Sequence, residues 1–264
     1  MSVNPHDYMT EDDPSKQGEA NKQNALVWIY LWGYSTAPLL QLLLRHKGMS
    51  WTAAAIKNGW LRKTGMTARD RIKIVTLTAN GVSWVEERMN VIFKYSELDP
   101  HRIAPQTILH NMLAQRMTIL SALTGEVVAY RTERQEAARS VRGAKKPDVV
   151  WFGKERQRIG VEIELNAKWD RRFDEFVSST IIALSPSAEG APARYQQFLV
   201  VTTSPAIASR YAAAFEPGTP LRIWRSVSKS EFVVDRTIEV PDWVRDRIEF
   251  RVVKENGEAR LPMT

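Results

Sequence analysis

Residues 146–168, KPDVVWFGKERQRIGVEIELNAK, decide the fold of the C-terminal half of the chain. They predict a strand that begins at Asp148, a short turn over 153–157 and a returning strand through Glu162 and Glu164. Because side chains alternate along a strand, the two glutamates project from one face and the apolar residues beside them project from the other. The stretch therefore predicts a pair of strands with one acidic face and one face that can be buried.

Three carboxylates and one ammonium group in this stretch predict a metal site. Glu162 and Glu164 would repel each other at a spacing of roughly 6–7 Å along the strand, and a divalent cation removes that repulsion. If the two strands are neighbours, Asp148 is a third oxygen ligand, and oxygen ligands favour Mg²⁺ or Mn²⁺ over zinc. Lys168 follows the strand, and its ammonium group can hold an attacking water or stabilise charge on a phosphate. Alternatively, Glu162 or Glu164 orients the water, or both line a solvated sheet face.

The rest of the C-terminal half alternates strands and helices. Strand-like runs at 126–130 and 195–204 alternate with helical runs at 166–184 and 205–215. This alternation predicts an α+β protein in which residues 125–264 form an α/β domain around a central mixed sheet.

Residues 24–98 predict a winged helix-turn-helix domain. Three helical segments precede a short pair of strands, and the segment ANGVSWVEERM at 79–89 is typical of a closing helix. This is the order of a winged helix-turn-helix, and the phrases GWLRK at 59–63 and IVTLTANG at 74–81 are similar to the start and return of its wing.

Basic residues concentrate in this first module, and the chain carries a formal net charge of +7. Such a stripe neutralises DNA phosphates and releases counterions, and the third helix can enter a major groove. The alternative is a small helical domain with a solvated basic face. The predicted DNA-binding residues are Lys47, Trp51, Thr52, Lys57, Arg62, Lys63, Arg69, Arg71 and Lys73.

The remaining segments predict the layout of the chain. Residues 1–23 are polar and predict a disordered tail, and residues 99–124 predict an amphipathic connecting helix. The N-terminus lacks the pattern of a signal peptide, and no apolar run is long enough for a transmembrane helix. The absence of cysteine excludes disulfides and thiolate chemistry. We expect a cytoplasmic protein without membrane insertion.

The paired acids resemble the PD-(D/E)xK nuclease superfamily. Pro147-Asp148 supplies the PD, and Glu162-Ile163-Glu164 stands where (D/E)-x-K belongs. Glu164 replaces the usual lysine, so the resemblance implies that Lys168 takes over its role. It also implies a restriction-endonuclease-like domain whose early acid is Glu133.

Some members of that superfamily use an acid on the preceding helix, and Glu136 is one turn away from Glu133 and is the alternative for that role. The segments YRTERQEAARS at 130–140, KPDVVWF at 146–152 and GVEIELNAKWDRRFDEF at 160–176 are similar to the plasmid replication-relaxation family, which includes MOBC-type mobilisation relaxases. That resemblance implies metal-dependent nicking of double-stranded DNA at a plasmid or mobile-element origin. It also implies further relaxosome proteins and a coupling protein as partners.

Two other functions compete with this prediction. Relaxases with a tyrosine nucleophile use a cluster of closely spaced histidines, which His6, His46, His101 and His110 do not form. That mechanism is therefore disfavoured. The second is a non-catalytic DNA-binding protein, either a replication or mobilisation accessory factor or a repressor, with a degenerate nuclease fold.

Overall fold

The computed structural model describes residues 14–45, 48, 50–65, 72–89, 103–137, 143–186, 192–254 and 257. The chain divides into two compact units, Met1–Glu126 and Val127–Thr264. Each unit is described separately below.

The first unit contains five helices and one β-hairpin among its described residues. The elements are α1 (Pro14–Trp32), α2 (Ala37–Leu43), α3 (Ser50–Lys57), β1 (Leu61–Gly65), β2 (Lys73–Leu77), α4 (Ala79–Met89) and α5 (Pro105–Leu123). Thr36 caps α2 by accepting a hydrogen bond from the backbone N–H of Leu39 at 3.4 Å. A single backbone bridge joins Ser35 to Val75, so a third short stretch lies beside the hairpin. The helix–helix–helix–hairpin order is the order that the sequence predicts.

A buried glutamine on α5 ties together the core of the first unit. Gln115 Oε1 accepts hydrogen bonds of 2.8 Å from both Trp28 Nε1 and Ser35 Oγ. Its Nε2 donates to the carbonyl oxygen of Tyr34 at 3.0 Å. These bonds satisfy a polar group that would be costly to bury alone. The helix predicted as a connector over 99–124 is therefore part of the first unit's core, although residues 99–102 lie outside the described residues.

The first helix begins earlier than the sequence predicts. The disordered tail predicted over 1–23 is wrong for residues 14–23, which form the first turns of α1. Asn21 and Asn24 are buried on this helix, so two of its polar residues pack against the core while others, such as Lys16 and Glu19, stay exposed. The predicted tail residues 1–13 lie outside the described part of the chain.

The second unit is built around a five-stranded mixed sheet. Its elements are β3 (Ala129–Thr132), α6 (Glu133–Ala137), β4 (Val149–Phe152), β5 (Arg158–Ile163), α7 (Asp170–Leu184), β6 (Gln197–Thr202), α8 (Pro205–Ala214), β7 (Pro220–Ser226), β8 (Phe232–Glu239), a 3-10 helix (Asp242–Arg247) and β9 (Ile248–Val252). The strand order is β3-β4-β5-β6-β9. Strands β3, β4 and β5 are antiparallel neighbours, and β5, β6 and β9 are parallel neighbours. The α+β class and the central mixed sheet are thus confirmed.

The last part of the second unit adds two features. Strands β7 and β8 form a two-stranded sheet separate from the central one. Strand β9, which the sequence did not predict, pairs with β6 and completes the central sheet. Among the described helices, none combines the length and the apolar character needed to cross a membrane.

Both faces of β5 are buried, because a glycine lets a ring pack over the acidic face. A Cβ atom on Gly160 would lie 2.8 Å from the ring of Phe198, which is too close for any other residue without movement. Gly160 precedes Glu162 by two residues and shares its face. Phe198 and Phe176 belong to one hydrophobic cluster on this face, so the glutamates stand at the edge of a packed core. The alternative of a solvated sheet face is therefore wrong for this pair.

Candidate functional site

Asp148 and Glu162 stand opposite each other on neighbouring strands. Val149 pairs with Val161 in the antiparallel register of β4 and β5. Asp148, just before Val149, therefore faces Glu162, just after Val161. The backbone N–H of Asp148 donates to the carbonyl oxygen of Val161 at 3.0 Å. Asp148 Oδ2 accepts a hydrogen bond of 2.7 Å from the backbone N–H of Ile163. The fold therefore brings together the two acids that the sequence pattern pairs.

Two ammonium groups neutralise Glu162. Its Oε1 lies 2.5 Å from Lys145 Nζ and 3.8 Å from Lys168 Nζ. Its Oε2 is buried and has no hydrogen-bond partner in the described part of the chain. The carboxylate is 4% exposed, so this unpartnered oxygen is costly to bury.

The carboxylate of Glu164 contacts Lys168 and Tyr211. None of the contacts described for it involves Asp148. Glu164 Oε1 forms an ion pair with Lys168 Nζ, and its Oε2 accepts a hydrogen bond of 3.3 Å from the hydroxyl of Tyr211. The same tyrosine oxygen accepts a hydrogen bond of 3.0 Å from the backbone N–H of Lys168. Glu164 and Tyr211 thus position both the ammonium group and the backbone of Lys168.

Burial shifts the pKa values of the central pair. The pKa of Glu162 rises from 4.5 to about 7, chiefly through burial and then through the charge of Asp148, while Lys145 and Lys168 oppose the rise. Burial also lowers the pKa of Lys168, against the attraction of Glu162 and Asp148. Perturbed groups of this kind are typical of functional sites, although buried ion pairs also show them.

Helix α7 covers the site with an aromatic ring. The buried ring of Phe176 has its centroid 4.8 Å from Lys168 Nζ and 5.6 Å from Lys145 Nζ. The backbone N–H of Lys145 donates to the carbonyl oxygen of Ser179 on the same helix at 2.8 Å. The helix therefore limits the access of water to both ammonium groups.

The predicted early acid does not join this cluster in the described contacts. The Glu133 side chain is 57% exposed and pairs with Lys146 at 3.0 Å. The alternative, Glu136, is buried and pairs with Arg194 at 3.1 Å and Arg131 at 3.4 Å. Glu136 is therefore held in a structural ion-pair network.

The donor atoms fit a hard cation only in part. Two neighbouring carboxylates and the unpartnered Oε2 of Glu162 are the chemistry that Mg²⁺ and Mn²⁺ prefer. However, no group of three or more His, Asp or Glu side chains within the described ranges has the spacing to hold one metal ion. The predicted three-ligand set of Asp148, Glu162 and Glu164 is not assembled. A two-carboxylate site, completed by water and a substrate phosphate, remains compatible with the geometry.

The predicted DNA-binding residues of the first unit are mostly at its surface. Lys57, Arg62, Lys63 and Lys73 are exposed, and Trp51 is partly exposed. Thr52 is buried in α3, so its predicted contact with DNA is wrong. Lys47, Arg69 and Arg71 lie outside the described residues.

Sequence reasoning missed the supporting residues of the site. Tyr211 comes from α8, distant in sequence from β5, and the contact of Lys145 with Glu162 forms only in the fold. Phe176 reads as an ordinary core position of an amphipathic helix. Only the proximity of Lys145 to Pro147-Asp148 in the sequence was available as a signal.

Comparison with known proteins gives one faint similarity. Over 157 residues the chain is 26% identical to the Holliday junction branch migration complex subunit RuvA of Haemophilus influenzae strain PittGG, which covers 58% of this chain and 71% of that protein. The same subunit from strain 86-028NP matches with the same identity and coverage. No known family profile and no solved structure matches the chain. Nothing in these comparisons points to the plasmid replication-relaxation family.

Proposed function

We propose that the protein binds double-stranded DNA and cuts one strand in a metal-dependent reaction at the Asp148–Glu162 pair. The observation that carries this proposal is the cross-strand pairing of these two acids beside the ammonium group of Lys168. The resemblance to the PD-(D/E)xK motif has the same three parts, with Lys168 standing in for the usual lysine.

Asp148 and Glu162 are the residues that would hold Mg²⁺ or Mn²⁺. Magnesium sites that act on phosphates often use one or two carboxylates, with water and the substrate completing the shell. When bound, the ion would act as a Lewis acid on the scissile phosphate and lower the pKa of a bound water.

The other residues of the site position charge and exclude water. The Lys168 ammonium group stabilises negative charge that develops on the phosphate. Glu164 and Tyr211 hold Lys168 in place, so Glu164 is a positioning residue rather than a metal ligand in this proposal. Lys145 offsets the buried charge of Glu162, and Phe176 shields both lysines.

The first unit supports the DNA-binding part of the proposal. Its helices α2 and α3, its hairpin and the Ser35–Val75 bridge follow the order of a winged helix-turn-helix. In that arrangement α3 enters the major groove, and the exposed cations of the hairpin contact the backbone.

The biological setting is the most specific part of the proposal and has support from sequence motifs alone. The resemblance to plasmid replication-relaxation proteins favours a relaxase-like nick at the origin of a plasmid or mobile element. Other relaxosome proteins and a coupling protein are the partners that such a reaction uses. The Holliday junction relative agrees with this setting only in that its complex is named for a DNA structure.

A nicking assay tests the proposed reaction. Supercoiled plasmid carrying the candidate origin is incubated with protein and Mg²⁺ or Mn²⁺, or with EDTA, and open-circle product is measured. We expect nicking only with metal, and a loss of at least about 100-fold in Asp148→Asn, since removing one part of a catalytic constellation has effects of this size. Glu155→Gln, an exposed acid on the nearby turn, is the matched control and should cut normally. Undiminished nicking by Asp148→Asn contradicts the proposal.

A second candidate is a DNA-binding accessory factor or repressor with a degenerate nuclease fold. It is favoured by the ammonium groups that already neutralise both glutamates, and by the missing three-ligand set in the described ranges. It predicts DNA binding that is unchanged in EDTA and no product at any metal concentration in the same assay.

A further inference from the structure

An exposed tryptophan adjoins the Lys168 site. Trp169 directly follows Lys168 in the chain and is 65% exposed. It is the one aromatic residue among the large exposed hydrophobic side chains in the described part of the chain. Because this tryptophan is exposed, it does not fill the hydrophobic core, and its place beside the candidate site needs another explanation.

The backbone and one arginine fix the orientation of this tryptophan. Trp169 is the N-cap residue of α7, and the next residue, Asp170, has a positive φ of 45°. Positive φ is unfavourable for a residue with a side chain and persists where the surroundings enforce it. The Arg210 guanidinium lies over the Trp169 ring, with its carbon 3.9 Å from the ring centroid.

The same arginine links the tryptophan to the candidate catalytic lysine. Arg210 Nη1 donates a hydrogen bond of 2.8 Å to the carbonyl oxygen of Lys168. Its guanidinium also lies 4.3 Å from the ring centroid of Phe173 on α7. Because these contacts restrain Trp169 in the free protein, little conformational freedom remains to be lost when a ligand stacks on it.

We propose that Trp169, backed by Arg210, is a stacking platform for an unpaired DNA base next to the phosphate at the Asp148–Glu162 site. Every base presents a π-face, so an exposed indole binds an unpaired base with little dependence on sequence. This inference rests on the proposed function, because both place DNA at the second unit. It adds that the DNA near the cut is single-stranded or has one base out of the stack.

The charge around the platform favours nucleic acid over a protein partner. The Arg210 guanidinium lies over the Trp169 ring, and the exposed Arg172 follows three residues later in the chain, whereas Asp170 is the acid next to Trp169 in sequence. Cations beside an aromatic ring are the combination found in single-strand binding sites, where the cations contact phosphates and the ring stacks on bases. An apolar protein partner would instead need several exposed apolar neighbours.

Binding of a labelled oligonucleotide tests the platform without any cleavage. The full-length protein is titrated in EDTA against fluorescein-labelled single-stranded oligo(dT) and against a duplex that carries a consensus-free sequence. We expect Trp169→Ala to weaken binding of oligo(dT) about 5- to 100-fold, which corresponds to the loss of one stacked base. Trp169→Phe should retain most of the affinity, and duplex binding should be unchanged in both variants.

The control is Ile182→Ala, which removes an exposed apolar side chain from the same helix and should bind as the wild type does. Circular dichroism confirms that each variant is folded. The inference is overturned if the wild type does not bind oligo(dT), if Trp169→Ala binds it normally, or if the Trp169-dependent ligand is oligo(rU) rather than oligo(dT). Failure of the nicking assay with an intact Trp169 effect would refute the proposed cleavage but leave the platform in place.

Discussion

The two units carry charge in opposite ways. In the first unit the cations are exposed, as with Arg62 and Lys63 on β1. In the second unit the charged groups of the candidate site are buried, and Glu162 and Glu164 are only 4% and 3% exposed. Exposed charges act over the Debye length and are screened by salt, whereas buried charges are governed by desolvation and by their immediate partners. Under the proposed function, this difference makes affinity for DNA and chemistry on DNA separately testable.

The largest expected effect comes from changing a buried charged group of the candidate site in the second unit. Lys168→Ala should lower the nicking rate at saturating protein about 10²- to 10³-fold, because the proposed function assigns to this ammonium group the stabilisation of developing charge. Affinity for DNA should change little, since the exposed cations of the first unit remain. The measurement is the initial rate of open-circle formation beside a binding titration.

Two further variants control for folding in this experiment. Lys168→Ala leaves Glu164 without its buried partner, so the double variant Lys168→Ala/Glu164→Gln should recover stability but not activity. Lys154→Ala, which removes an exposed lysine after β4, should be fully active. A nearly normal rate in the Lys168 variants would show that the buried ammonium group has no catalytic part.

The next effect is a dependence of stability on pH that arises from burial. Glu162 has a pKa of about 7 in the folded protein and an ordinary value of 4.5. Between these values the folded state holds a proton that the unfolded state has lost, so Glu162 makes the protein less stable as the pH rises through this window. Glu162→Gln removes this contribution. Relative to the wild type, the variant should therefore gain stability on the order of a few kcal/mol between pH 4.5 and pH 8.

Urea unfolding of both proteins in metal-free buffer at several pH values measures this difference. Because the other titrating groups are the same in both proteins, most of their contribution to the free energy of unfolding cancels in the difference between variant and wild type. If this difference in unfolding free energy is independent of pH, or changes in the opposite direction, then Glu162 is charged in the folded protein without the expected free-energy penalty for burying its charge.

A smaller effect is expected from changing the exposed cations of the first unit. The double variant Arg62→Ala/Lys63→Ala should weaken duplex binding about tenfold at low salt and lower the salt slope by about 2, because two phosphate contacts are lost. The nicking rate at saturating protein should be unchanged. Lys16→Ala, an exposed lysine on α1, is the control. An unchanged salt slope in the double variant would remove this hairpin from the DNA-binding surface.

The smallest effect tests an exposed acid of the second unit. Glu133→Gln breaks a surface ion pair with Lys146 and should change stability by less than about 0.5 kcal/mol. Its nicking rate should equal that of the wild type. A loss of rate of about tenfold or more would restore Glu133 to the catalytic role that the sequence resemblance implies.

Local patterns predicted much of the fold. The two-residue period of β5 predicted that Glu162 and Glu164 share a face, and the closing helix of the first unit was predicted with its observed bounds, Ala79–Met89. These features depend on periodicity and on nearby turns, which a single sequence contains.

Features that depend on distant partners were not predictable in the same way. Strand β9 forms through pairing with β6, from which about 45 residues separate it in the chain. The start of α1 was missed because its first turns are polar, and only packing shows that Asn21 and Asn24 are buried. The close packing of Phe198 on Gly160, next to the buried Glu162, is also a contact between two strands.

The sequence predicted the charged residues of the candidate site but not the residues that hold them in place. Asp148, Glu162 and Lys168 follow from the motif, and the fold brings them together. Tyr211 and Trp169 carry no motif, so only their contacts with Lys168 and Arg210 single them out. Local sequence thus identifies charges, whereas tertiary packing decides which of them meet.

Anomalous diffraction from a Mn²⁺-soaked crystal tests the central claim most directly. We expect one manganese peak at about 2 Å from carboxylate oxygens of both Asp148 and Glu162, and its loss in Asp148→Asn crystals soaked in the same way. The absence of a peak between these carboxylates at millimolar Mn²⁺, in crystals that retain the cross-strand pair, would contradict the claim.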